Sequence, residues 1–389
     1  MAKRVAIVGI GQTYHQAHRQ DVNQVEMVNE AVTAALEDAQ LHIKDIDCII
    51  QGNMELFEGV HQPDMWHVDG DGAYLKSGMR LTTGGTTGGT IACAAYNHVA
   101  SGLFDTVMAI GWEKQEEGHT TTGIAAMADP LWDRKVQTGA LSGMTAARLI
   151  TDFGERAEEV AAMVRVRDGE NASRNLYAHL REKVTREDVM KSYMLVHPIR
   201  LLHMCPQSNG ACALIVASEE KAKKITKKPV WVKDHVTTHM EAMLNETILV
   251  REDLEEWASM RVCARKLYKR NGITNPIKEI DLFEMYDPMV WMEMEWADWF
   301  LLMERGGYLK MVEKGITDRN GAFPVNPSGG VVTTNPIGAT ALIRVAEAAL
   351  QIRGDAGEHQ VDKEVRTAMA SAFGGTFWTI LHLLSKERP

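Results

Sequence analysis

Thr82-Thr83-Gly84-Gly85-Thr86-Thr87-Gly88-Gly89-Thr90 runs directly into Ile91-Ala92-Cys93-Ala94-Ala95-Tyr96-Asn97-His98-Val99-Ala100-Ser101-Gly102. Four glycines and five threonines build no apolar core, yet they lead into a helix-forming segment closed by a glycine, so they read as a tight turn aimed at a helix N-terminus. Such a turn offers free backbone N–H groups. Together with the positive end of the helix dipole they suit a phosphate, a carboxylate or a transient oxyanion. A close-packed turn with no ligand is the competing reading.

The chain around the turn alternates. Residues 5–11 are a short apolar run ending in glycine, the pattern of a strand buried on both faces, and residues 25–41 follow with helical spacing. Residues 45–50 and 104–111 give further strands on either side of the glycine turn and its helix, which indicates an α/β layered fold. From Trp112 to about Met194 the pattern changes to polar and helical stretches, a long excursion of the kind that covers a functional site. An apolar strand at 211–217 and a charged connection at 219–228 lead into the second half. There, residues 230–239 read as a strand, 254–268 as a helix and 280–285 as a strand. Asn326-Pro327-Ser328-Gly329-Gly330-Val331-Val332-Thr333-Thr334-Asn335-Pro336-Ile337-Gly338-Ala339-Thr340 is a second glycine-rich turn, feeding a helix that Gly354 closes, and residues 365–384 form a closing hairpin. One strand, glycine turn and helix per half implies an internal duplication with two turns facing a shared site.

Composition bounds the function. Length 389 with 45% hydrophobic and 24% charged residues fits an ordinary globular protein with a sizeable core. A net charge of −10 argues against nucleic acid as a partner. No apolar run spans a bilayer and no signal-peptide pattern opens the chain, so no membrane association is expected and the cytoplasm is the default location. Cys48, Cys93, Cys205, Cys212 and Cys263 are never spaced C-x-x-C, and no H-E-x-x-H pair occurs; neither a disulfide framework nor a bound metal is expected.

Several motifs resemble one family throughout the chain: Val5-Ala6-Ile7-Val8-Gly9; Phe153-Gly154 with Asn171-Ala172 and Asn175; Cys205-Pro206-Gln207-Ser208-Asn209-Gly210; Asn326-Pro327-Ser328-Gly329-Gly330; and Asn335-Pro336-Ile337-Gly338-Ala339. In this order they resemble the thiolase superfamily, in its sterol-carrier-protein and archaeal branch, and within that branch the benzoylsuccinyl-CoA thiolases of anaerobic toluene degradation. The resemblance implies two βαβαβαββ halves in a five-layered α/β/α/β/α body, with residues 1–111 and 195–222 in one half, 223–389 in the other, and 112–194 as a loop domain. It also implies a homodimer, a small partner subunit with a zinc ribbon and an OB fold, and coenzyme A as a substrate with no metal in this chain.

At the family's chemical positions the sequence departs. The nucleophilic cysteine's place falls at Gly85, the Gly-His-Pro histidine's at Asn335, the oxyanion residue's at Tyr286 in Met285-Tyr286-Asp287-Pro288, and the second cysteine's at Ala372. The resemblance therefore implies an acyltransferase that cleaves an aromatic β-ketoacyl-CoA such as 2-benzoylsuccinyl-CoA, with CoA's own thiolate as the nucleophile. Two alternatives stay open: a retro-aldolase of the same fold acting on a β-hydroxyacyl-CoA, and a silent acyl-CoA carrier.

Gly85 and Gly375 offer backbone donors, and Tyr286 and Asn335 are polar side chains at the family's positions. Cys205 is a candidate nucleophile, its ordinary reading being a packed cysteine. His203, two residues earlier, points the same way if the chain is extended there. Thr86, Thr87, Asp287, Met289, Trp112 and Ser328 are the substrate-binding candidates, with His61, Trp66 and His67 as further lining residues and Arg80, Arg134 and Arg200 as unranked cations for a second carboxylate. Met289, Met292, Trp296, Trp299 and Met303 share one helical face, expected to pack on the core or on a partner, with its first turn lining an apolar pocket.

Overall fold

The computed structural model describes residues 2–57, 62–118, 138–239, 258–374 and 378–389. In chain order come β1 (Val5–Gln12), α1 (Gln24–Ala39), β2 (Cys48–Gly52), α2 (Asp64–Asp71), β3 (Ser77–Arg80), α3 (Thr87–Ala100) and β4 (Thr106–Lys114). Helices α4 (Thr138–Phe153), α5 (Glu155–Ala172) and α6 (Arg186–Lys191) and a hairpin of β5 (Met194–Val196) and β6 (Ile199–Arg200) precede β7 (Asn209–Ser218). After α7 (Glu219–Ile225) come β8 (Val230–His239), α8 (Ala258–Asn271), α9 (Pro276–Glu279), β9 (Leu282–Glu284), α10 (Val290–Trp299), α11 (Gly307–Glu313), α12 (Ile337–Arg353), β10 (Thr367–Gly374) and β11 (Trp378–Ser385).

The duplication is written in the strand pairing. In the first half β2 runs parallel to β3 and β4, and β7 is antiparallel to β4 and β1. In the second, β9 runs parallel to β10, and β11 is antiparallel to β10 and β8. The place of the second half's third strand is held by one parallel bridge, Phe283 to Val325. The halves join where β1 meets β8 through two residue pairs, Ala6 with Trp231 and Ile7 with Val230, giving the order β3-β2-β4-β7-β1-β8-β11-β10-β9.

Side-chain alternation along each strand feeds two faces. Ala6, Val8, Met108 and Ile110 pack under Met27, Val28, Ala31 and Ala35 of α1. Helix α1 buries residues at helical spacing and opens with a capping box, Asn23 accepting from the Glu26 N–H. On the other face Ile7, Val107 and Ala109 meet α3 and α12, which in turn meet Ala368 and Ala370 of the second half. Met369, Leu381 and Leu383 face outward onto Met260, Cys263 and Leu267 of α8. The result is the expected five layers, with α3 and α12 in the middle. Helix α12 is buried from Ile337 to Ile352, as a helix enclosed between the two halves of the sheet must be.

Two local expectations change. The helical pattern expected up to about Met194 ends with α6 at Lys191, and the chain turns into β5. Helix α10 buries all ten residues, Val290 to Trp299, rather than one face, because α4, α5, α8 and α11 surround it.

Candidate active site

The first glycine turn is tied together by its own threonines. Thr87 Oγ1 donates to the Gly84 carbonyl at 2.6 Å and accepts from the Thr83 N–H at 3.0 Å, while Thr86 Oγ1 donates to the Thr83 carbonyl at 2.6 Å. Both hydroxyls are thus occupied within the turn, so Thr86 and Thr87 shape the site rather than face a ligand. The glycines mark close approaches. A Cβ on Gly88 would lie 2.4 Å from the Leu342 nitrogen, which lets α3 pack on α12. At Gly85 a Cβ would lie 2.4 Å from the Phe373 carbonyl oxygen and 3.3 Å from the Tyr286 hydroxyl. The space where a nucleophilic side chain would begin is therefore taken by β10 backbone, with the phenol of Tyr286 beside it.

Tyr286 follows β9 and is held by its N–H donating to Ser371 Oγ of β10 at 2.8 Å. Its ring is buried with Cys93, Val331, Ala341 and Ala372, and Cys205, Phe373 and Trp378 pack against this group. Burial raises the phenol above its usual range, so it is protonated at neutral pH. Asn335, just ahead of α12, donates from Nδ2 to Cys205 Sγ at 3.2 Å and accepts at Oδ1 from Thr340 Oγ1 at 2.8 Å. Burial pushes the Cys205 thiol up to about 11, against the opposing hydrogen bond from Asn335, so it rests as a thiol. Cys205 is fixed by its N–H donating to the Pro288 carbonyl at 3.0 Å, beside the bridge of Met204 to the buried Met289.

The conditional pairing of His203 with Cys205 is not formed. Leu201–His203 is a 3-10 turn rather than extended chain, so the imidazole turns into the core. Its Nδ1 accepts from the Trp291 indole at 2.9 Å and from the Arg200 N–H at 3.2 Å, and burial pushes it down to about 4. His203 is a neutral packing group there.

Below Tyr286 lies a layer of buried charge. Asp287 Oδ1 accepts from Asn326 Nδ2 at 2.9 Å, and Asp287, Asp168 and Glu293 place one carboxylate oxygen each within 4.8 Å of one another. Arg167 bridges Asp168 and Glu293, and Tyr308 donates to Glu293 at 2.8 Å. Burial first, and then the neighbouring carboxylates against the pull of Arg167, raise Asp287 well above the carboxylate range and Asp168 to about 7. Ser328 belongs to a second network, donating to Glu284 at 2.7 Å and accepting from Arg344 at 2.7 Å. It is buried, and these bonds tie it into the scaffold.

Trp112 is a correction as well. It points to the outer face of its strand, under α1, with its ring 4.5 Å from that of His67. Strand β4 is buried on both sides, so its sequence does not reveal which face Trp112 takes. Arg80 bonds Glu55 and Asn53, Arg200 bonds the Ser192 carbonyl, and Trp66 is exposed. His61, Arg134 and Gly375 lie outside the described residues. No spacing marks Ser371, whose hydroxyl meets the site from β10; for Thr340, a hydroxyl on the first turn of the helix that follows Asn335 is the available hint.

Two duplicated halves, a glycine turn against each central helix, and a tyrosine and an asparagine converging between them define a thiolase-like site. The chain belongs to the thiolase superfamily, in its sterol-carrier-protein and archaeal branch. The family described as Thiolase C-terminal domain-like matches residues 241–385. Over 389 residues the chain is 33% identical to Acetyl-CoA acetyltransferase of Methanothermobacter thermautotrophicus, covering 98% of this chain and 99% of that protein. It is 29% identical to Benzoylsuccinyl-CoA thiolase subunit BbsB of Thauera aromatica over 296 residues, 75% of this chain and 74% of that one. Among solved structures, the Ltp2-ChsH2(DUF35) aldolase superposes with a TM-score of 0.82 at 23% identity, covering 99% of this chain and 98% of that one, a likeness of fold. The protein is an acyl-CoA acyltransferase of the thiolase type, an enzyme class that takes CoA as a substrate. No described helix is long and apolar enough to cross a membrane.

Proposed function

We propose that the protein cleaves an aromatic β-ketoacyl-CoA, with 2-benzoylsuccinyl-CoA as the leading candidate, and that CoA's thiolate attacks the ketone without an acyl-enzyme. The observation that carries this reading is the Phe373 carbonyl and Tyr286 hydroxyl at Gly85, which leave no room for a side-chain nucleophile. Among the described residues no base bonds to Cys205, which burial keeps as a thiol, and CoA is then the source of the attacking sulfur. Tyr286 gives a proton to the leaving enolate. Asn335 Nδ2 and the backbone N–H at Gly85 stabilise the developing oxyanions. The likeness to the Thauera protein supports this choice of substrate.

Incubation of the intact complex with 2-benzoylsuccinyl-CoA and CoA is expected to yield benzoyl-CoA and succinyl-CoA, with no mass added to the protein during turnover. An acylated protein, or no products from a verified complex, would count against it. Tyr286→Phe is expected to lower kcat by about 100-fold or more, the range for losing a general acid.

A second reading, retro-aldol cleavage of a β-hydroxyacyl-CoA, is favoured by the buried Tyr286-Asp287 pair at the site and by the aldolase named among the similar structures. It predicts cleavage with CoA omitted, so an absolute CoA requirement excludes it. Turnover of any acyl-CoA removes the carrier alternative.

The assembly we propose is a homodimer through the open edge of β3, where Trp66, Tyr74, Leu75 and Met79 are exposed, with the loop domain expected from position 112 starting instead after β4 ends at Lys114. We further propose a small partner subunit with a zinc ribbon and an OB fold; the two-component name of the aldolase neighbour and the subunit name of the Thauera relative support a second subunit as such. Trp66→Glu is expected to yield monomers in light scattering; an unchanged dimer mass would move the interface elsewhere.

A further inference from the structure

Glu113 near the end of β4 and Gln115 just beyond it are buried, and both reach the segment that carries Asn335. Gln115 Nε2 donates to the Asn335 carbonyl at 2.5 Å and to the Ser208 carbonyl at 3.1 Å, while Glu113 Oε2 accepts from the Gly338 N–H at 2.8 Å and the Met54 N–H at 3.0 Å. The end of one strand in the first half thus grips the second glycine turn on both sides of Pro336. The two grips are not interchangeable. A carbonyl only accepts and a backbone N–H only donates, so position 115 has to present a donor and position 113 an acceptor. Among the described residues Gln115 Oε1 receives no hydrogen bond, so the two carbonyls alone turn its amide. Asn335 is also tied to the Cys205 segment: its N–H donates to Ser208 Oγ at 3.0 Å and its Nδ2 to Cys205 Sγ at 3.2 Å.

We propose that Gln115 is a positioning residue for the oxyanion donor, holding Asn335 Nδ2 in place by clamping the Asn335 and Ser208 carbonyls to one amide nitrogen. Its effect on turnover rests on Asn335 serving as that donor in the thiolysis proposed for this site. An amide NH2 has two protons, and here one goes to each carbonyl. That single group fixes the spacing between the turn before α12 and the segment that carries Cys205, two stretches that belong to different halves of the duplication. Without it the Asn335 peptide keeps its bond to Ser208 Oγ but loses the restraint on its carbonyl. A shift of about 1 Å in the donor costs more in the transition state than in the bound substrate, because the oxyanion forms only there. Gln115 therefore acts through Asn335. In the run Glu113-Lys114-Gln115-Glu116-Glu117 nothing but the fold singles this glutamine out.

The test compares Q115M and Q115E with wild type in the full complex, with folding checked by thermal melting. Methionine keeps the length of the side chain and removes the donor, whereas glutamate keeps its shape and donates only while protonated. Q115M is expected to lower kcat by about tenfold or more while KM stays within about threefold. In Q115E the two carbonyl oxygens and burial favour the protonated carboxyl, and its ionised form repels both carbonyls, so the ratio of Q115E to Q115M kcat should fall as pH rises. A second readout needs no turnover. Cys205 is half-buried while the other four cysteines are buried, so its alkylation by iodoacetamide can be followed by peptide mass. Loosening Asn335 disturbs its bond to the thiol, and the alkylation rate should change by about threefold or more in Q115M. A wild-type kcat or a wild-type alkylation rate in a folded Q115M would overturn the proposal. A folded Q115E with wild-type kcat at every pH would assign position 115 to packing and overturn it as well. An altered alkylation rate in a complex that performs no thiolysis would sink the thiolysis reading while supporting the clamp. Should Q115M fail to fold, Q115L is read in the same two assays with the same expected and opposing results.

Discussion

The two glycine turns occupy equivalent places in the duplicated halves, yet they are fixed by different physics. The first, before α3, is held by neutral hydroxyls of Thr83, Thr86, Thr87 and Thr90 bonded within the turn. The second, before α12, shares at Asn326 (φ 50°) and Gly330 (φ 68°) the left-handed backbone that the first has at Gly84 (φ 63°), but it leans on buried charge, with Asp287 receiving Asn326 and Glu284 receiving both Ser328 and Arg344. The difference separates shape from stiffness. A turn stripped of its nucleophile needs only to keep its outline, whereas the turn that carries Asn335 has to hold a side chain in one place.

Arg344→Ala should break the second turn hardest. It leaves Glu284 buried without its partner, and loss of about 3–5 kcal/mol in urea unfolding is expected; a loss under about 1 kcal/mol would mean the ion pair does not anchor the turn. The pH dependence comes next, because only the second turn rests on titrating groups. Asp168, buried among Asp287, Glu293, Arg165 and Arg167, is raised to about 7, whereas an unfolded aspartate titrates near about 3.9. The folded state therefore binds this proton more tightly. Its contribution is complete below the unfolded value and is lost as pH rises through about 7, so urea midpoints should fall between those limits. Asp168→Asn should flatten that fall, and an unaltered slope would assign it to other groups.

Gly85→Cys tests the first turn with the family's own residue. The added side chain meets the Phe373 carbonyl, so a destabilisation of about 1–3 kcal/mol is expected, with no acyl-cysteine found by mass spectrometry. A restored acyl-enzyme would show that the vacancy at Gly85 is chemical rather than steric. Thr87→Val is the mildest change. It removes one donor and one acceptor from the cap, for about 1 kcal/mol in thermal melting with kcat within about threefold.

Much of the fold was legible because its signals are local. Residues 5–11 and 211–217 are buried on both faces and read as unbroken apolar runs, and the glycines of both turns sit where helices must approach backbone. The site was legible only as positions. Tyr286 and Asn335 were expected there, but Ser371, the partner of Tyr286, comes from β10 and leaves no spacing to read, while Thr340, the partner of Asn335, looks like any residue on the first turns of α12. His203 was expected beside Cys205 on the condition of an extended chain, and the 3-10 turn at Leu201–His203 withdraws that condition. The methionines and tryptophans of α10 looked like one face because helical spacing reveals a stripe only when the opposite side is polar; here the remaining residues, Glu293 and Glu295 among them, are buried as well.

By itself, then, the sequence determined the alternation of strands and helices, the duplicated turns and the absence of cysteine at position 85, since each is set by residue type and near neighbours. Tertiary structure alone decided that the Tyr286 hydroxyl and the Phe373 carbonyl crowd Gly85, that Trp112 faces outward, and that Asn335 turns its amide nitrogen to Cys205. Those facts depend on how two halves of one sheet fold around α3 and α12, and such long-range packing brings together residues whose separation along the chain carries no periodic trace.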